Sequence, residues 1–168
     1  MGLKMEKDAL ALIKTRRSIR KYSEKQVPDE IVEKVIEAGI WAPSSNHSEP
    51  AEFIIIKNEK TKEALSKISS WSGFLKKAPV NIAVIAKNSG CLIEDSSAAI
   101  MNMMIEAHSL GLGTCWIDCQ NSQKIIKKIL EIPEDYTAIT VLPLGYPDEN
   151  PSSKRKAIKE KVHLEKYA

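Results

Sequence analysis

Aromatic residues are scarce in this 168-residue chain: two Phe, four Tyr and three Trp make up 5% of it. No basic run is interleaved with them, so the stacking groove of a single-strand nucleic-acid binder is missing. Charge of one sign is missing as well. The 25 Lys+Arg and 22 Asp+Glu alternate and leave a net charge of +3, too mild a balance for a DNA-binding protein. No nucleic-acid partner is expected. Long apolar runs are absent too, and the strongest, 53–56 and 138–142, have strand length rather than the ~20 residues of a membrane span. No membrane association is expected. The first ten residues, MGLKMEKDAL, lack the apolar centre of a secretory signal, and Glu6 stands where myristoylation at Gly2 would want Ser or Thr. Cysteine is sparse: Cys91, Cys115 and Cys119 are an odd number without framework spacing, which points to a reduced, cytoplasmic chain. His108, Cys115 and Cys119 make an H-x6-C-x3-C pattern, a poor zinc spacing, so no metal is expected.

What is present is the composition of an ordinary globular domain, 43% hydrophobic and 28% charged, of a length that suits a single domain spanning residues 1–168. Helical and strand patterns alternate. A short helix is predicted over 6–14, with Leu10 and Ile13 on one face. A second runs from Pro28 to Ile40, its start favoured by Pro28, Asp29 and Glu30 and its end by Pro43. Strands are predicted at 51–57, 80–86, 114–117 and 136–144, and helices at 61–69, 94–110 and 122–130. Gly111 followed by Leu112 reads as a helix stop. From residue 146 the chain becomes a polar arm, yet Val162, Leu164 and Tyr167 alternate like a strand at its end. Such an arm docks elsewhere, with a second subunit as the natural receiver. The pattern is that of an α+β layered domain.

Three segments are rich enough in functional groups to carry chemistry. Arginine is the rarest basic choice: Arg16, Arg17, Arg20 and Arg155 are the four in the chain, against 21 lysines. The planar guanidinium fork suits phosphate or carboxylate, although a solvated basic turn would look the same. Residues 42–50 form a polar Ser-, Asn- and Pro-rich loop, able to hold a ligand edge or to be a turn and nothing more. Gly111 and Gly113 flank Leu112 at a helix-to-strand junction where backbone can approach a flat ligand. The same pair reads equally well as a helix cap. No phosphate-loop signature is present.

Taken in order, R-R-S-I-R-K-Y at 16–22, A-P-S-S at 42–45 with E-P before F-I-I-I, and A-P-V-N-I-A-V-I-A at 78–86 form one set. It continues with E-D-S-S-A-A-I-M-N-M-M-I-E-A-H-S-L-G-L-G-T at 94–114, L-G-Y-P at 144–147 and the terminal R-K-x5-V-H. Over residues 8–167 the set resembles the nitroreductase-like FMN-dependent oxidoreductases. The resemblance implies a three-layer α+β fold with a mainly antiparallel sheet flanked by helices. It also implies a homodimer with FMN at its interface and the C-terminal arm, 146–168, exchanged between subunits.

By the same resemblance, Arg16, Arg17, Ser18 and Arg155 match positions that hold the FMN phosphate and ribityl chain. Arg20 matches a basic residue beside the pyrimidine end, where a cation stabilises the charge of reduced flavin. Pro43, Ser44, Ser45 and Asn46 match the loop bordering the ring. Cys115, Trp116, Ile117 and Asp118 match the segment under it, and Leu144 and Gly145 the place where the chain passes the cofactor. The family loop P-S-S-x-N-x-Q-P-W is here P-S-S-N-H-S-E-P-A, so that His47 replaces Asn, Glu49 replaces Gln and Ala51 replaces Trp. Glu49 would then accept from flavin N3–H as Gln does, and His47 either bonds to the flavin or is a polar loop residue. The implied activity is ping-pong hydride transfer from NADH or NADPH to a small-molecule electron acceptor, a nitroaromatic or quinone, with no covalent nucleophile. The altered loop and the short 68–79 segment keep open a flavin-binding carrier, sensor or store with little NAD(P)H turnover. Trp71 and Phe74 in that segment either stack on substrate or pack beneath the loop.

Overall fold

The computed structural model describes residues 8–88 and 90–167. Four antiparallel strands, β1 (Ala51–Ile56), β2 (Val80–Lys87), β3 (Gly113–Thr114) and β4 (Tyr136–Gly145), form one sheet in the order β1-β2-β4-β3. Strand β2 is central and buried on both faces from Val80 to Ala86, with Lys87 exposed at its end, as a continuous apolar run without alternation requires.

Its side chains alternate between two cores. Ile82 and Val84 join Val32 and Val35 of α2 (Asp29–Ile40) and Ile100 and Met103 of α4 (Leu92–Ser109) on one face. Ala83 and Ile85 join Leu65 of α3 (Glu59–Leu65) and Ile126 of α5 (Gln123–Leu130) on the other. Each fully buried aliphatic side chain contributes roughly 1.5–3 kcal/mol relative to exposure, so the two layers of helices are held chiefly by these stripes. The α+β three-layer expectation holds.

In β4 the alternation changes phase. Ala138 and Val141 face one core while Ile139, Leu142 and Leu144 face the other. A bulge opposite Val84 and Ile85 inserts the extra residue, re-aiming the chain locally. It leaves the Thr140 hydroxyl free to accept from Ile117 N–H at 3.1 Å and to donate to the Ile117 carbonyl at 2.8 Å.

Several predicted elements are shifted. The first helix, α1, runs Ala9–Thr15, begun by Asp8 accepting from Leu10 N–H, and the predicted start at residue 6 lies outside the described residues. Helix α3 begins earlier than 61 because the Asn58 side chain accepts from the N–H groups of Lys60 and Thr61. The strand expected at 114–117 shrinks to Gly113–Thr114, since beyond it Ile117 bonds to the Thr140 side chain and Asp118 makes only a single bridge to Thr140. The strand expected near 162–167 does not form. A strand needs a neighbour for its backbone groups, and here Leu164 and Tyr167 stand exposed after a short turn at Ile158–Glu160.

Candidate ligand-binding site

The 16–22 segment is an extra edge of the sheet. Ser18 bridges Thr114 in parallel, and Ile19 N–H donates to the Thr114 carbonyl at 2.9 Å. Ile19 fits there because Gly113 has no side chain; a Cβ at that position would lie 2.6 Å from Ile19 Cγ1. Tyr22 closes the other end. Its hydroxyl donates to the Ile19 carbonyl, and its ring rests on Gly145, where a Cβ would meet it at 2.9 Å. After β4 the chain doubles back along this edge. Ser23 N–H donates to the Tyr146 carbonyl and Asp148 N–H to the Lys21 carbonyl, each at 3.0 Å, and the Glu149 carboxylate accepts from Arg20 and Lys21 N–H.

This hairpin-like return brings residues 130 positions apart together. Arg16, Arg17, Ser18 and Arg20 line one cavity of about 250 Å³ with Pro151, Ser152, Ser153 and Arg155. All four arginines of the chain meet there, and no carboxylate is among the lining residues. Arg17 is tied down by donating to the Lys14 and Arg16 carbonyls at 2.7 and 2.8 Å, and Arg155 donates to Ser153 Oγ at 3.0 Å. Arg16 Nη1 and Arg17 Nε are buried with no hydrogen-bond partner among the described residues. Burial, and then the charges of Arg17 and Arg155, push the Arg16 guanidinium below its ordinary range. Cations this crowded, with two donors left unbonded, form a site that an anion of several oxygens would complete.

A second cavity of about 290 Å³ shares Arg20. Cys115, Trp116, Ile117 and Asp118 form part of its lining, with Trp71, Phe74 and Asn121. Burial raises the Cys115 thiol of this lining and pushes the buried Cys119 up to about 12, which disfavours the reactive thiolate of each. Phe74 lines this cavity and also packs against both neighbouring cores, whereas Trp71 is 83% exposed.

The 43–49 loop lines neither of these cavities. Pro43, Ser44 and Glu49 border a separate opening of about 80 Å³ with Phe53 and Asp95. Asn46, His47 and Glu49 all have positive φ, at 53°, 53° and 43°, a strained run for side-chain-bearing residues. Asp95 of α4 holds it, its carboxylate accepting from Ser45 N–H at 3.1 Å and from the Ser48 hydroxyl at 3.3 Å. Ser44 Oγ accepts from Glu49 N–H at 3.0 Å. Leu144 is fully buried in the core, so it supports the arginine edge through packing rather than lining a cavity. Two organising residues were missed in the sequence, Asp95 and Glu149; each is one carboxylate among 22, and nothing local sets it apart.

A model of the nitroreductase family matches residues 13–84 and 66–146. The chain belongs to the nitroreductase family. A Methanothermobacter thermautotrophicus protein, provisionally named NADH dehydrogenase/NAD(P)H nitroreductase, is 36% identical over 95% of this chain and 88% of its own. An FMN-dependent nitroreductase from Clostridium difficile R20291 has TM-score 0.89 and 32% identity, covering 94% of this chain and 99% of that one. A Desulfovibrio desulfuricans structure, provisionally named a nitroreductase and solved in complex with FMN, has TM-score 0.89 and 29% identity over 98% of this chain and 100% of that one. Within this nitroreductase-family chain, the predicted residues thus fall into two groups. The arginine edge and residues 115–118 are neighbours through Arg20, and the 43–49 loop stands apart.

Proposed function

We propose that this protein is an FMN-dependent NAD(P)H oxidoreductase that reduces nitroaromatics, quinones or a related small acceptor. The observation that carries the reading is the convergence of all four arginines on one cavity, with Arg16 Nη1 and Arg17 Nε unbonded. That donor set fits a phosphate dianion, and relatives are named for FMN and NAD(P)H chemistry. Arg16, Arg17, Ser18 and Arg155 would hold the phosphate. Arg20, common to both cavities, and the backbone of Cys115, Trp116, Ile117 and Asp118 would border the ring system. Bound there, FMN supplies two-electron chemistry between NADH or NADPH and the acceptor.

The chain's own contribution is orientation and charge. Arg20 puts a cation at the junction of the two cavities, its backbone held by Glu149. Thr140 holds Ile117 through its hydroxyl and Asp118 through a backbone bridge. Burial raises the Cys115 thiol above its ordinary range, which disfavours its thiolate. Donor and acceptor use one opening in turn, a ping-pong order.

The single domain of 1–168 functions as a homodimer in this reading. Leu10 and Ile13 of α1, Ile40 and Trp41 at the end of α2, and Ile158 and Leu164 of the arm are apolar and more than half exposed in one protomer. A second copy would cover them, with the 146–168 arm exchanged, and would offer its 43–49 loop, the part of the expected site that stands apart. Among the described residues no helix is long and apolar enough to cross a membrane. The free thiols of Cys91, Cys115 and Cys119 fit a reducing, cytoplasmic setting.

Calorimetric titration with FMN and with riboflavin, which lacks the phosphate, tests the reading. FMN is expected to bind tightly and riboflavin at least about 100-fold more weakly, the scale of two lost charge-assisted bonds. Arg16→Ala or Arg155→Ala should each weaken FMN binding by about 1.5–3 kcal/mol. Equal affinity for FMN and riboflavin would remove the phosphate assignment.

A further inference from the structure

We propose that His108 is a positioning residue for the flavin phosphate: it anchors the chain just ahead of Arg16 and Arg17 and so sets where those two guanidinium groups lie. The inference rests on the functional reading above and adds to it the residue that holds the phosphate-binding segment in place.

Arg16, Arg17 and Ser18 are strung between two hydrogen bonds to one stretch of chain. On the downstream side Ile19 N–H donates to the Thr114 carbonyl at 2.9 Å. On the upstream side Thr15 Oγ1 lies 2.8 Å from His108 Nε2, across 93 positions of sequence. The first bond is made by backbone and belongs to the sheet edge. The second rests on two side chains. The Thr15 hydroxyl proton is given to the Ala11 carbonyl, 2.7 Å away, so the hydroxyl oxygen accepts and His108 Nε2–H donates.

Packing does little at this upstream end. Among its described residues helix α1 has none that is buried, and Leu10 and Ile13 are more than half exposed in one protomer. Behind the segment lies a cavity of about 240 Å³, with Thr15, Arg17, His108 and Glu149 in its lining. An unanchored segment has room to shift into it. His108 is a firm support because the end of α4 is itself fixed. Ala107 beside it is fully buried, and Gly111, at φ 80°, ends the helix. Gly111 N–H donates to the His108 carbonyl at 3.1 Å and Leu112 N–H to the Ala107 carbonyl at 2.8 Å. One further step reaches the arginines. The two carbonyls that receive Arg17 Nη1, those of Lys14 and Arg16, flank Thr15. Fixing Thr15 therefore fixes the frame on which that guanidinium rests, and donors held ready lose less entropy when an anion arrives.

The test measures FMN and riboflavin affinities by calorimetric titration of wild type, His108→Phe, His108→Gln, Thr15→Val and the double variant His108→Phe/Thr15→Val. A merely structural residue would weaken both ligands alike, whereas a positioning residue acts through the phosphate that riboflavin lacks. FMN affinity is expected to fall about three- to tenfold in His108→Phe, the scale of one hydrogen bond, with riboflavin affinity unchanged. Thr15→Val keeps the shape, loses the hydroxyl and should lose the same factor, and the double variant no more than either alone. His108→Gln, whose amide offers an N–H at similar reach, should recover most of the loss. An FMN-to-riboflavin ratio unchanged in His108→Phe or in Thr15→Val overturns the proposal, as do losses that multiply in the double variant. Should the His108 variants fail to fold, Thr15→Val, at an exposed position, decides alone. A wild type that binds FMN and riboflavin equally overturns the phosphate reading itself, whereas these outcomes in a wild type that prefers FMN overturn the anchor alone.

Discussion

The carboxylate of Glu149 accepts hydrogen bonds from two consecutive backbone N–H groups, those of Arg20 and Lys21, across 129 and 128 positions of sequence. This contact turns the end of β4 back over the arginine edge and so places Pro151, Ser153 and Arg155 opposite Arg16 and Arg17. The cavity depends on a clasp outside its own lining.

Replacing the clasp should loosen both fold and site. Glu149→Ala removes two bonds to a charged acceptor and is expected to cost about 1–2 kcal/mol of stability, at the low end of the range because Glu149 is partly exposed. FMN affinity should fall with it, since one wall of the cavity is freed. Glu149→Gln keeps an acceptor oxygen and should retain most of both. Urea unfolding and FMN titration measure the two effects.

The 43–49 loop gives a separate test. Asp95 accepts from Ser45 and Ser48 and so maintains a run with three positive φ values. Asp95→Ala is expected to cost roughly 1–2 kcal/mol and to expose residues 45–48 to proteolysis, with Asp95→Asn intermediate. Limited digestion followed by mass spectrometry locates the cut.

Buried thiols make stability fall at high pH. Burial raises Cys119 from 9.0 to about 12 in the folded chain. Between those values the unfolded chain has released a proton that the folded chain retains, so stability is full below about pH 9 and declines as pH rises toward 12. In Cys119→Ala the drop in urea midpoint from pH 8 to pH 10.5 should be smaller than in the wild type. In the native wild type at pH 8, a thiol reagent should label exposed Cys91 well before Cys115 or Cys119.

Much of this architecture is legible in the chain. The unbroken apolar run at 80–86 announces a central strand, and Pro28 with Asp29 and Glu30 announces the start of α2. The rarity of arginine marks a place where geometry matters, and the four do meet. The β4 bulge is hidden because a one-residue phase change inside an apolar run looks like the run itself. The roles of Asp95 and Glu149 are hidden because a carboxylate bonded to distant backbone has no local signature. The strand-like alternation at the arm's end is real in sequence but has no neighbouring strand among the described residues of one protomer.

Removing residues 157–168 leaves Arg155 in place but deletes Ile158, Val162, Leu164 and Tyr167, all more than half exposed. If the arm is exchanged between subunits, the truncated protein should be monomeric or aggregated by light scattering, and the intact chain dimeric. A truncated chain that remains dimeric would contradict arm exchange.

The most direct measurement is the visible spectrum of the purified protein with FMN added, followed by NADPH under argon and then menadione. The expected result is a yellow protein that bleaches with NADPH and regains its colour with menadione, faster than free FMN does. A protein that takes up FMN but stays yellow with both NADPH and NADH would contradict an oxidoreductase and leave a flavin carrier, and one that takes up no FMN would contradict the arginine cavity as a phosphate site.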